Sequence, residues 1–106
     1  MPAPGCHHRD MSPEFRRDDT ASRYLATEDG QQLGLIDFTL SDDRDKIVIL
    51  HTETVPAARG RGIADQLTRF AVDDIREQGF KIVPVCPFTE AWFDSHPDET
   101  DILGVV

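Results

Sequence analysis

Apolar and polar residues alternate in short runs from Ser22 to Val55, and polar turns break the runs, a pattern that predicts strands. Ser22 to Thr27 reads as a first strand, and Glu28-Asp29-Gly30 as a hairpin turn into a second, from Gln31 to Leu40. Along the second strand Ile36, Phe38 and Leu40 share one face, while Leu35, Asp37 and Thr39 share the other. The polar stretch Ser41-Asp42-Asp43-Arg44-Asp45 precedes a third strand, Lys46 to Val55, rich in β-branched residues. Pro56 ends it, since proline has no N–H to give a ladder.

From Gly60 to Gln78 the period becomes helical: Ile63, Ala64, Leu67, Phe70, Ala71 and Ile75 form one stripe, with Asp65, Arg69, Asp73, Arg76 and Glu77 opposite. Asp74 breaks this order near the far end of the stripe. Gly79 suits the residue after a helix, and Phe80 to Val85 follows as a fourth strand. Strand, crossover helix and strand make a right-handed parallel unit, so the third and fourth strands are expected to run in one direction. Pro84, late in the fourth strand, marks an edge or a place where the strand parts from its neighbour. Phe88 to Ser95 reads as a short helix that sets Phe88, Ala91, Trp92 and Phe93 against the sheet, and His96-Pro97 stops it. Ile102 and Leu103 anchor the last turn. The predicted class is α/β, of the α+β kind: a three-stranded antiparallel meander, a long crossover helix, a parallel fourth strand and a short C-terminal helix. Residues 1–17 read as a loose N-terminal arm and 18–106 as a single domain.

Composition narrows the function. Twenty Asp and Glu against eleven Lys and Arg give a net charge of −9, which argues against a nucleic-acid partner and is compatible with a cationic substrate. No run approaches the roughly 18 apolar residues of a membrane span, and no apolar signal segment stands at the N-terminus, so a cytoplasmic protein without a membrane partner is expected. The two cysteines, Cys6 and Cys86, lie far apart, which fits reduced thiols rather than a disulfide. Cys6-His7-His8 sits in the arm without a second cluster at zinc-site spacing, so no metal is expected.

The charge balance reverses at one place. No acidic residue occurs from Val55 to Ala64, and Arg59-Gly60-Arg61-Gly62-Ile63-Ala64 lies between strand and helix. Two glycines let the backbone turn closely, the first-turn amides of the helix point outward beside the positive end of its dipole, and two arginines add cations. The pattern is that of an anion cradle; its plain alternative is a solvated turn. A P-loop is excluded because G-x-x-x-x-G-K-[ST] is absent, and the dinucleotide fingerprint because its third glycine is missing.

Arg59-x-x-Gly62-x-Ala64, with His51-Thr52-Glu53 before it and Pro84-Val85-Cys86-Pro87 and Trp92 to His96-Pro97 after it, resembles the GNAT superfamily of acyl-CoA-dependent N-acetyltransferases, in its very short stand-alone form. The resemblance spans roughly residues 18–103. It implies a minimal GNAT fold, acetyl-CoA as co-substrate and an amine as acceptor. It further implies that the amides of Arg59, Gly60, Arg61, Gly62, Ile63 and Ala64 receive the pyrophosphate. The pantetheine arm would lie between the third and fourth strands along Glu53, Thr54 and Val55, with a main-chain N–H near Val55 facing the thioester oxygen. The tyrosine that many relatives place after the fourth strand is absent; Tyr24, the only tyrosine, lies in the first strand. Acceptor-binding helices and a C-terminal strand pair are also lacking, so the acceptor site is expected to be open or completed by another molecule.

Amine attack on a thioester needs a neutral nucleophile and a route for its proton. His51 and Glu53, two apart on one strand, are expected to share a face with Ile47, Ile49 and Val55, and either could take that proton. Alternatively His51 is a core-edge histidine and Glu53 a solvated carboxylate. Cys86, at the end of the fourth strand, is expected to contact the ligand, as proton donor to the departing thiolate, as nucleophile, or as a small packing residue, and no adjacent residue activates it. The expected activity is acetyl transfer to an amine by direct attack in a ternary complex. The rival is a module that binds acetyl-CoA or CoA without turnover.

Overall fold

The structure, a computed structural model, describes residues 13–43 and 45–104. Cys6, His7 and His8 lie outside the described residues. Five strands form one sheet in sequence order: β1 (Glu14–Asp18), β2 (Arg23–Glu28), β3 (Gln31–Leu40), β4 (Lys46–Thr54) and β5 (Lys81–Pro84). The first four are antiparallel, and β5 pairs parallel to β4 across the helix α1 (Ile63–Gln78). A second helix, α2 (Pro87–Ser95), leads into a 3-10 turn, Pro97–Ile102. Among the described residues no helix is long and apolar enough to cross a membrane.

The class and the strand–helix–strand order agree with the pattern of the chain, but the sheet has one more strand than the pattern predicts. Glu14 to Arg17, read from the sequence as the end of an arm, belong to β1. Two side chains on α1 explain it: Phe15 stacks on Phe70 with centroids 5.7 Å apart, and Arg17 Nη1 donates to Asp74 Oδ2 at 2.6 Å. A charged segment without its own apolar alternation is thus held by tertiary contacts.

The same contacts account for Asp74. Its Oδ2 also accepts from the Tyr24 hydroxyl at 2.7 Å and from Gln78 Nε2 at 2.7 Å. Tyr24 is buried beneath α1, so its hydroxyl needs a partner, and burial together with the Asp74 charge pushes its pKa far above that of an ordinary phenol. Tyr24 is therefore a neutral donor at physiological pH.

One face of the sheet meets α1. Ile36, Ile47, Ile49 and Ile82 pack there on Ile63, Leu67, Ala71, Val72 and Ile75. Asp29 and Gly30 both have positive φ, 52° and 79°, which matches the right-handed twist of the β2–β3 hairpin. Gly79 closes α1 in the left-handed region and donates to the carbonyls of Arg76 and Ile75. Leu103 bridges to Ile82, and Arg76 binds both Glu99 and Asp101, so the last turn is tied to β5 and α1.

Gly34 sets how near α1 begins to the sheet. A Cβ there would lie 2.9 Å from the Glu53 carbonyl oxygen and 3.3 Å from Ile63 Cγ2. Only a glycine lets the first residue of α1 approach β3 and β4 this closely.

Candidate functional site

Beyond Thr54 the chain makes a 3-10 turn, Pro56–Ala58, and then the glycine loop. Gly60 and Gly62 have φ of 87° and 76°, in the left-handed region. Gly62 caps α1 but offers no side chain to do so, and the first intrahelical bond runs from Gln66 N–H to the Gly62 carbonyl at 3.0 Å. The amides of Ile63, Ala64 and Asp65 therefore have no partner within the helix. The Ile63 side chain is buried, so these amides stand over the edge of the core at a fixed place.

Two details differ from the expected cradle. The amides of Arg59 and Arg61 are turned inward, to the carbonyls of Pro56 and Ala58, both at 3.3 Å. The Arg61 guanidinium grips Glu28 with two bonds of 3.1 and 2.9 Å, and the pairing lowers the Glu28 pKa and raises that of Arg61. Glu28 lies 33 residues away along the chain, so the local sequence gives no sign that its charge meets Arg61. Arg59 has no side-chain hydrogen bond or ion pair among the described residues.

The β4–β5 ladder ends at Ile49 and Pro84. The Ile49 carbonyl accepts from both Val85 N–H, 3.1 Å, and Cys86 N–H, 3.0 Å, and after that the two strands part. Pro84 thus ends β5, the edge strand of the sheet, and among the described residues β4 has no ladder partner on that side beyond Ile49, where the gap was expected. Val55 N–H, expected to face it, donates instead to the Leu33 carbonyl at 2.8 Å. Antiparallel alternation from that bond turns Glu53 and His51 toward β3 and leaves the main-chain groups of Thr54 and Thr52 directed at the gap.

A register shift lies between Asp37 and Phe38: Asp37 pairs with His51 but Phe38 with Ile49, so Leu50 is the extra residue of a bulge. The bulge reverses the alternation of β4. His51 and Glu53 do not share a face with Ile47 and Ile49; they stand on the sheet face away from α1, with side chains 57% and 61% exposed and His51 Nε2 3.6 Å from Glu53 Oε2. Thr52 takes the inward place instead.

There it meets Cys86, which is 5% exposed and caps the start of α2. Sγ lies 3.5 Å from Thr52 Oγ1. Burial alone would raise the thiol pKa, but the Thr52 hydroxyl and the Thr89 and Phe88 amides of the first turn of α2 outweigh it and hold the pKa below that of an ordinary thiol. The Thr52 hydroxyl and the α2 amides are neighbours of the thiol that the sequence reading missed. Cys86-Pro87, a capping position followed by the proline typical of a helix start, was the available signal for the amides; nothing in the sequence pointed to Thr52. Trp92 and Phe93 are buried, and His96 closes α2 with Nδ1 2.7 Å from the Trp92 carbonyl oxygen. Among the described residues no group of three or more His, Cys, Asp or Glu side chains could hold a metal ion.

The uncapped helix start, the parted strands and the sheltered thiol thus adjoin one another. The family model for GCN5-related N-acetyl-transferases matches residues 23–102, and the chain belongs to this family. Its general class is accordingly that of the acyl-CoA N-acetyltransferases. Among solved structures, the chain is similar to a GCN5-like protein from Staphylococcus aureus at 20% identity and a TM-score of 0.62, over 88% of this chain and 89% of that one. It is similar to the ribosomal-protein-S18-alanine N-acetyltransferase of Escherichia coli at 10% identity and 0.58, over 87% of this chain and 56% of that one. It is similar also to N-acetylglutamate synthase of Neisseria gonorrhoeae, solved with coenzyme A and N-acetyl-glutamate, at 18% identity and 0.59, over 79% of this chain but only 22% of that one. At these identities the likenesses show the fold. No curated protein matches the chain.

Proposed function

We propose that this protein transfers the acetyl group of acetyl-CoA to an amine by direct attack in a ternary complex. The observation that carries the reading is the end of the β4–β5 ladder at Ile49, beyond which β4 passes Cys86 at Thr52 and reaches Thr54, which shares the Gly34 neighbourhood with Ile63 at the start of α1. The amides of Gly62, Ile63 and Ala64 and the Arg59 guanidinium suit the pyrophosphate, and Gly60 keeps side chains out of its way. The main-chain groups of Thr52 and Thr54 suit the amides of the pantetheine arm, the Thr52 N–H being the donor nearest the thioester oxygen. Acetyl-CoA supplies the acyl group already activated as a thioester, so the chain has to orient it and move one proton.

In this reading Cys86 contacts the reacting end of the ligand from the α1 side of the sheet, and His51 and Glu53 flank it from the open side. There His51 takes the proton of the attacking amine, with Glu53 to balance the charge gained. A net charge of −9 favours a cationic acceptor, and a free thiol at the site fits a reducing, cytoplasmic setting. The exposure of His51 and Glu53 favours a second reading, a module that binds acetyl-CoA without turnover.

Incubation with acetyl-CoA and a panel of polyamines and lysine peptides, followed by intact mass of the acceptors and release of free CoA, separates the two readings. Acetylated acceptor that is lost in His51→Ala while acetyl-CoA affinity is retained supports transfer. Binding with no acetylated acceptor supports the module.

A further inference from the structure

We infer that Trp92 keeps the anion site at the start of α1 open by holding the Asp65 carboxylate away from it. The inference rests on the reading of that helix start as the acyl-CoA phosphate site. Asp65 is the third residue of α1. A carboxylate there ordinarily folds back onto the free amides of the first turn, as the third position of a capping box does, and the helix dipole favours it. The need for a cap is unusually strong here, because Gly62 supplies no side-chain acceptor. An Asp65 folded back would occupy the amides a phosphate requires and add a negative charge beside it.

Asp65 points elsewhere. Its Oδ1 accepts from Trp92 Nε1 at 2.9 Å. The indole is in turn fixed: it is 4% exposed, stacked on the His96 ring at 3.9 Å and 14°, and packed edge-on to Phe93 at 5.1 Å. His96 is itself anchored through Nδ1 to the Trp92 carbonyl. One turn along α1, the Arg69 guanidinium lies 5.0 Å from the Trp92 ring centroid, and it feels the Asp65 charge as one of its acidic neighbours. The carboxylate is thus given a donor and a nearby cation away from the helix start. Trp92 acts on the ligand only through Asp65 and is a positioning residue.

A bond that merely ties α1 to α2 makes a different forecast, because breaking it from either end should then have the same effect. Calorimetric titration with CoA of the wild type, Trp92→Phe, Asp65→Ala and the double variant, with thermal unfolding of each, decides between them. Trp92→Phe should weaken CoA about tenfold, the loss expected when a competing charged group takes one charge-assisted hydrogen bond. Asp65→Ala, which breaks the same bond but removes the competitor, should bind CoA as tightly as the wild type or more tightly. The double variant should bind as Asp65→Ala does, whatever its loss of thermal stability. Asp65→Glu tests the idea without touching the indole: one more methylene brings the carboxylate within reach of the Gly62 amide, and CoA should bind more weakly. Equal weakening in Trp92→Phe and Asp65→Ala, a double variant as weak as Trp92→Phe, or no loss in Asp65→Glu would each overturn the inference. A wild type that binds no CoA would instead overturn the reading beneath it.

Discussion

The Cys86 thiol lies 3.5 Å from the Thr52 hydroxyl, although the two residues are 34 apart in sequence. The bulge at Leu50 makes this meeting: without it Thr52 would face the open side of the sheet and His51 the thiol. Thr52 is the strongest of the groups that hold the Cys86 pKa down. Thr52→Val removes a hydroxyl that favours the thiolate, so the pKa must rise. Iodoacetamide alkylation followed against pH should then shift its midpoint upward, with a lower rate at neutral pH. An unmoved midpoint would mean that the amides of α2 suffice.

Gly34 is predicted to govern the seating of α1. Gly34→Ala sets a methyl group 2.9 Å from the Glu53 carbonyl oxygen, a backbone atom that cannot rotate aside. Overpacking of this kind costs about 1–3 kcal/mol, and urea denaturation should show the loss. CoA affinity should fall as well, since Ile63 and the amides of the helix start move with it.

Asp74 is predicted to be the most sensitive carboxylate for stability. Asp74→Ala strips the buried Tyr24 hydroxyl and the Arg17 guanidinium of their shared acceptor, at about 2–3 kcal/mol. Tyr24→Phe leaves Asp74 its two other donors and should cost only about 1 kcal/mol. Denaturation midpoints of the two variants check the order.

These side chains also mark what could be read from the sequence. The 3.6-residue stripe of α1, the Asp29-Gly30 turn and the Gly79 terminus are local, so periodicity and turn chemistry disclosed them. Gly62-x-Ala64 opening a helix and Pro84 ending a strand disclosed the loop and the end of the last strand for the same reason. β1 was hidden because Phe15 and Arg17 earn their strand from Phe70 and Asp74, more than fifty residues on. The bulge was hidden because no glycine or proline marks Leu50, and its register exists only against Asp37 and Phe38 of β3. That single residue decided which face of β4 holds His51 and Glu53. Strict alternation therefore assigned them to the wrong one.

Binding of acetyl-CoA at the start of α1 is the step on which the proposed transfer depends. Calorimetric titration of the wild type and of Gly62→Val tests it, because valine at φ 76° is strained and crowds the cradle. The wild type should saturate with acetyl-CoA, and the variant should bind at least about tenfold more weakly while remaining folded by circular dichroism. A wild type that releases no heat and retains no ligand, or a folded Gly62→Val that binds equally well, would contradict it.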